Sequence, residues 1–212
     1  MKKMKLSLLA IALMVATAAS AQVSFGIQGG VNLSNMLSVD TPQPKVGFNV
    51  GILTDIGFSH NAGIRTGLFF TTKGFRESNA LIDGMPPDED GNRPPHNPTF
   101  PKVNLMYLQI PVHFAYKVDV SPGTRIVFHG GPYVAYGIRG SEIINGNRVD
   151  SNLFGSESWY NPFDFGLGIG VGFEFGRILT GIGWDMGLLN IDNKACRPAR
   201  TQNAYLTVGF RF

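Results

Sequence analysis

The sequence predicts an all-β fold: an eight-stranded antiparallel up-and-down transmembrane β-barrel, with short turns at one end and long loops at the other. Three observations carry that expectation. Eight segments alternate large apolar residues with small or polar ones at period two. The connections between them alternate strictly between long and short. The chain also opens on an export signal and holds no apolar run of about 20 residues that would cross a bilayer as a helix.

The opening, MKKMKLSLLAIALMVATAASAQ, has a basic start at Lys2, Lys3 and Lys5, an apolar stretch over 6–18, and Ala19-Ser20-Ala21 before Gln22. It reads as a secretory signal peptide, residues 1–21, cleaved to leave one barrel domain over residues 22–212. No cysteine follows the cut, which argues against a lipid anchor. Cleavage removes three Lys and no acid, so the +3 of the whole chain falls to 15 basic against 15 acidic residues. Nucleic acid therefore drops out as a partner. Cys196 is the single cysteine, so the chain can form no internal disulfide. With 27 Gly, 16 Phe and only 16% charged residues, the composition suits strands that meet something apolar.

The strands are expected at 23–31, 46–58, 63–73, 103–118, 124–138, 163–175, 177–188 and 203–212. After the first, third, fifth and seventh come the long polar connections 32–45, 74–102, 139–161 and 189–202. The intervening connections are SHNA, DVSPG and a turn at Gly176-Arg177. In an up-and-down sheet alternate connections share an end, so one end carries all the turns and the other all the loops. Outer-membrane barrels have that asymmetry, with turns in the periplasm and loops outside. Ten strand residues rise about 33 Å, and a tilt near 40° brings this to about 25 Å, the height of the apolar band.

The segment DFGLGIGVGFEFG decides which face is which. It lacks the G-x-G-x-x-G spacing of a dinucleotide loop, and it is too apolar for a linker. As a strand it sets Leu167, Ile169, Val171, Phe173 and Phe175 on one face and Gly166, Gly168, Gly170, Gly172 and Glu174 on the other. A soluble eight-stranded barrel would point the bulky face inward and coat its outside with glycine. The inverse fits better: lipid meets the bulky face and the narrow lumen takes glycine and a few polar groups.

The aromatics keep to the outward parity and to the strand ends. Phe25, Phe58, Tyr116, Phe175 and Phe210 belong to the short-turn end, and Phe48, Phe70, Tyr136, Phe163 and Trp184 to the long-loop end. They are expected to form lipid-facing girdles at the two interfaces. Inward parity gives Asp55, Arg65, Lys73, Gln109, His113, Lys117, Arg125, His129, Tyr133, Glu174, Asp185 and Arg211. Such charges are expected to pair across a low-dielectric lumen as structural or gating groups, Glu174 seeking Arg65, Arg125 or Arg211.

No catalytic, cofactor or metal site is assembled by the sequence. His113 and His129 fall on neighbouring strands without a third ligand, and no cofactor is implied. DEDGN (88–92) lacks the further acids of a calcium loop, and His96, Asp83, Asp88, Glu89 and Asp90 share one acidic loop without forming a triad.

Several stretches carry a resemblance. GIRTGLFFTTKGF (63–75), YLQIPVHFAYK (107–117), GGPYVAYGI (130–138), the start AQVSFGIQGGVNLS and the end YLTVGFRF are similar to the PorT-like outer-membrane β-barrel family of the Bacteroidetes. The resemblance covers essentially the whole chain after the signal, with Gln109 where members usually carry Glu. It implies an outer-membrane barrel with outer-membrane lipid around it and the barrel-assembly machinery as its partner during insertion, Phe212 serving as the C-terminal insertion signal. The founding member is associated with type IX secretion, a role not carried over to this chain. The expected function is a non-enzymatic barrel whose outer loops make surface contact, with a surface partner that the sequence does not name. A narrow channel for small solutes, a secretion component and a loop-based enzyme stand as the alternatives.

Overall fold

The computed structural model describes residues 22–37, 43–76, 102–144, 147–149, 153–155, 160–191 and 199–212. Its strands are β1 (Gln22–Leu37), β2 (Gln43–Gly57), β3 (Ala62–Arg76), β4 (Lys102–Ser121), β5 (Thr124–Ile144), β6 (Asn147–Val149), β7 (Phe163–Phe175), β8 (Ile178–Gly187) and β9 (Arg200–Arg211). Every pairing is antiparallel, and β9 closes onto β1. The ring runs β1-β2-β3-β4-β5-β7-β8-β9, so eight strands form a closed barrel and β6 is a short arm folded back on the end of β5.

The stagger of the barrel follows from its registers. Gln22 pairs with Gly57, Gly57 with Gly63, Gly63 with Ala115 and Ala115 with His129. His129 then pairs with Gly170, Gly170 with Gly183, Gly183 with Tyr205 and Tyr205 with Asn32. One circuit that leaves β1 at Gln22 returns to it at Asn32, ten residues further on. Ten residues of stagger over eight strands, at about 3.3 Å per residue and about 4.8 Å between strands, tilt the strands by about 40°. A barrel of this size has an interior that side chains fill.

Two of the tight turns rest on glycine. Gly123 and Gly176 have φ of 78° and 58°, a left-handed backbone that a side chain resists, and the Gly176 amide donates to the Gly123 carbonyl at 2.8 Å. These turns lie side by side and hold β4, β5, β7 and β8 together at the short-turn end.

Alternation divides the wall as its pattern requires. The outer face exposes Val31, Val50, Ile52, Leu68, Phe114, Ile169, Ile182, Leu206 and Val208, while Asp55, Arg65, Gln109, His113, Glu174 and Asp185 are buried inside. The structure departs from the expected boundaries at the long-loop end. β1 runs on to Leu37, β3 to Arg76 and β5 to Ile144, while β2 begins at Gln43 and β9 at Arg200, so parts of all four segments expected as loops are strand. Asn32, Ser34 and Met36 continue the inward face of β1, and pairing as far as Leu37 with Arg200 satisfies their backbone. The polar side chains of Asn32 and Ser34 hid an alternation that the pairing restores.

A second departure lies inside that end. Met36, Phe75, Val103, Leu105, Tyr107, Tyr133, Ala135, Leu153, Tyr160, Ile191 and Ala199 form a buried apolar cluster, with Phe154 packed edge-on against Tyr107 at 5.5 Å between centroids. The inward face is therefore not small and polar along its whole length. Gly140 makes the space, since a Cβ there would lie 2.6 Å from the Leu153 Cβ. Leu153, Phe154, Tyr160 and Ile191 come from connections, and they close the mouth from within.

Candidate functional site

The lumen holds the chemistry, in three layers. The lowest, near the turns, gathers five charged groups from five strands. The Arg65 guanidinium of β3 donates to both oxygens of Asp55 on β2, Nε to Oδ1 at 2.8 Å and Nη2 to Oδ2 at 2.9 Å. Its Nη2 also reaches Glu174 Oε1 of β7 at 2.9 Å. Arg211 of β9 bridges the same carboxylates, donating to Asp55 at 3.1 Å and to Glu174. Lys117 of β4 completes the set at 3.3 Å from Asp55 and 3.5 Å from Glu174. Three cations around two carboxylates make a crosslink that ties the wall together across the axis.

The upper layer lies just under the apolar cluster. Lys73 Nζ sits 3.1 Å from Asp164 Oδ2, and both side chains are fully buried. Thr201 donates to the same oxygen at 2.9 Å and the Tyr133 hydroxyl at 3.3 Å. The ammonium also stands 4.6 Å from the centre of the Tyr133 ring and 5.4 Å from that of Tyr107. A charge removed from water is costly alone, and these partners are what allow it here.

Between the layers is a cavity of about 80 Å³, lined among others by Gln109, His113, His129, Glu174, Asp185 and Tyr205. Gln109 donates to Asp185 Oδ2 at 2.9 Å, and the Nδ1 atoms of His113 and His129 approach to 3.0 Å. The glycines of β7 give these side chains their room. A Cβ on Gly166 would lie 2.6 Å from the Tyr133 hydroxyl, one on Gly168 2.5 Å from Asp185 Oδ1, and one on Gly170 2.6 Å from His129 Nε2. From Lys73 down to the turns, Lys73, Arg65, Lys117 and Arg211 face Asp164, Asp55, Glu174 and Asp185, so cations and carboxylates are equal in number.

The structure thus brings Asp55, Arg65, Glu174 and Arg211 into one network and sets His113, His129 and Asp185 around the cavity above it. Arg125 stands apart. It is the register partner of Glu174 on β7, yet its side chain lies at the rim and donates to Asp119 at 2.8 Å. Asp119 also meets His60 at 2.7 Å, and the hydrogen bond from His60, with Arg125 beside it, holds this exposed carboxyl below its usual range. The partly exposed rim accommodates Arg125 at a smaller desolvation cost than the axis, which is already filled by Arg65, Arg211 and Lys117.

Asp164 and Thr201 were not singled out from the sequence. Asp164 shares the parity of Gly166, Gly168 and Glu174, so the alternation of β7 carried its signal. Thr201 lay in an expected loop, and nothing local marked it. Among the aromatics, Phe25, Phe48, Phe58, Tyr116, Tyr136, Phe163, Phe175, Trp184, Phe210 and Phe212 are exposed on the outer face. Phe70 is half-buried there against Phe48, at 5.7 Å between ring centroids. His96, Asp83, Asp88, Glu89, Asp90, Cys196 and residues 1–21 lie outside the described residues.

Among solved structures the chain is similar to Ail, the attachment invasion locus protein of Yersinia pestis, at 12% identity over 90% of this chain and 99% of that one, with a TM-score of 0.43. It is similar to Neisserial surface protein A at 14% identity, over 90% and 99%, with a TM-score of 0.48. For OprG of Pseudomonas aeruginosa the identity is 11%, over 91% and 97%, with a TM-score of 0.46. No curated protein matches the chain in sequence. The family described as the outer membrane protein beta-barrel domain matches residues 10–193, and the chain belongs to that family, whose barrels sit in outer-membrane lipid.

Proposed function

We propose that this protein is a non-enzymatic outer-membrane barrel that displays its long loops for surface contact or assembly, in a lumen-closed form that passes no solute. The observation that carries this reading is the double closure of the lumen. Arg65, Asp55, Glu174, Lys117 and Arg211 cross the axis at one end, and the cluster around Phe75, Leu105, Tyr107, Leu153 and Ile191 fills the other.

In this reading residues 1–21 are a cleaved signal peptide, and Phe212 is part of the signal read by the barrel-assembly machinery. The outward aromatics at the two strand ends serve as interfacial girdles. The sequence likeness in 63–75, 107–117 and 130–138 supports placement among PorT-like proteins of Bacteroidetes-type bacteria.

The test is single-channel recording of the refolded barrel in a planar bilayer. Silent membranes that contain folded protein are the expected result. A stable, ion-selective open state would favour the narrow channel instead.

A further inference from the structure

The central cavity carries more than spacing. We propose that it is a binding site for buried water and one shared proton, built from Asp185, Gln109, His113 and His129 above Gly168.

The histidine pair comes first. The ring planes lie 16° apart with centroids separated by 5.2 Å, while the two Nδ1 atoms are 3.0 Å apart. The centroid separation is close to the N···N distance plus a ring radius on each side. The rings are therefore head-to-head and nearly coplanar, not one above the other. Two nitrogens in line at that distance share one proton, one as donor and one as acceptor. A second proton would set two N–H groups against each other.

The rest of the site chooses the tautomers. His113 Nε2 is buried and has no partner within the protein, as is true of Gln109 Oε1; both residues line the cavity. A Cβ on Gly168 would lie 2.5 Å from Asp185 Oδ1 and 2.9 Å from His113 Nε2, so these two atoms are no more than 5.4 Å apart. Asp185 is 3% exposed and, among the described residues, accepts a hydrogen bond from Gln109 but forms no ion pair. Asp55, Glu174 and Asp164 each have a cation in contact. Gln109 Oε1 has no donor within the protein and Asp185 has the Gln109 amide alone, so the pair suits a molecule that supplies two hydrogens. Water does so, and it accepts in turn from an Nε2–H of His113. That assignment leaves His113 Nδ1 as the acceptor and His129 Nδ1–H as the donor. The cavity of about 80 Å³ has room for several waters.

Charged and titratable groups face the pair from every side: Asp55 on β2, Arg65 on β3, Glu174 on β7, Asp185 on β8 and Tyr205 on β9. With equal cations and carboxylates around it, the site is neutral while each ring carries one N–H. A further proton leaves an uncompensated charge beside Arg65.

The proposal is tested on the full barrel in lipid nanodiscs, with ¹⁵N-labelled histidine. Expected at neutral pH are an Nε2–H tautomer for His113, an Nδ1–H tautomer for His129, an N–N coupling across their hydrogen bond, and a water cross-peak to the His113 Nε2 proton. The same tautomer in both rings, or no N–N coupling in folded protein, overturns the shared proton. Absence of the water cross-peak overturns the water site. Gly168→Ala should abolish that cross-peak, and its persistence in folded variant protein also overturns the site. If Gly168→Ala does not fold, Asp185→Asn serves as the second variant, expected to weaken the cross-peak while the histidine coupling stays.

Discussion

The two ends of the lumen are closed by opposite chemistries. At the short-turn end Arg65, Asp55, Glu174, Lys117 and Arg211 all stand on strands, and hydrogen bonds fix their geometry. At the long-loop end Phe75, Leu105 and Tyr107 of the strands meet Leu153, Phe154, Tyr160 and Ile191 of the connections, where backbone hydrogen bonds hold the connections and apolar side-chain packing makes the seal. An ion network needs its partners at defined registers, which a barrel provides. An apolar cluster tolerates approximate placement, which suits residues delivered by loops. One fold thus seals itself with directional bonds where its backbone is regular and with non-directional packing where it is not.

Four changes should break or sharpen this contrast. Arg65→Ala should be the most damaging, because it removes the bidentate partner of Asp55 and leaves the buried lumen with one more carboxylate than cations, Lys117 and Arg211 alone holding Asp55 and Glu174; the expected loss is about 3–5 kcal/mol in urea unfolding from lipid vesicles. Leu105→Ala empties part of the opposite seal and should cost about 2–5 kcal/mol by the same measurement. Because the two layers share no partner, the double variant should show the simple total of both losses to within about 0.5 kcal/mol. A clear excess or shortfall would mean the seals are coupled through the central cavity.

The outer wall is a control for both. Ile169, 61% exposed to the outside, should cost about 2–4 kcal/mol when replaced by Arg if it lies near mid-bilayer. Unlike Arg65→Ala, it should leave the lumen network intact. A tolerated arginine there would contradict a lipid-facing wall.

The smallest effect belongs to the rim pair His60 and Asp119. The depressed Asp119 carboxyl contributes stability that is present above its unfolded value and lost as pH falls through the folded one. That loss is confined to acid below about pH 4, and the contribution is fully present at neutral pH. Because solvent surrounds both groups, His60→Ala should leave the unfolding midpoint at neutral pH unchanged, while NMR should show Asp119 titrating closer to an ordinary aspartate.

How far these features were legible depends on where their residues sit. Asp55, Arg65, Glu174 and Arg211 lie within regular alternation, and their parity alone sets them inward. Arg125 has the same parity, but the end of a strand lets a long side chain turn outward to Asp119, and no periodicity records that choice. Asp164 was readable and missed, because the glycines around it drew attention to the bare face instead of the charge at its start. Leu153, Phe154 and Ile191 were not readable, since polar loop sequence offers no period by which an apolar residue declares its direction.

The glycine run of β7 shows the same division. Sequence alone sets Gly166, Gly168 and Gly170 on a face without side chains, because a strand repeats every two residues. Only the closed barrel decides what fills the space: Tyr133 over Gly166, Asp185 and His113 over Gly168, and His129 over Gly170. By itself the sequence determined the strands, their order, and which solvent each face meets, all of which follow from local alternation and connection length. The ten-residue stagger, the pairing of charges across the axis and the apolar closure of one mouth were decided by tertiary structure. They depend on which residues the closure of β9 onto β1 brings to the same height, and no segment of the chain contains that information.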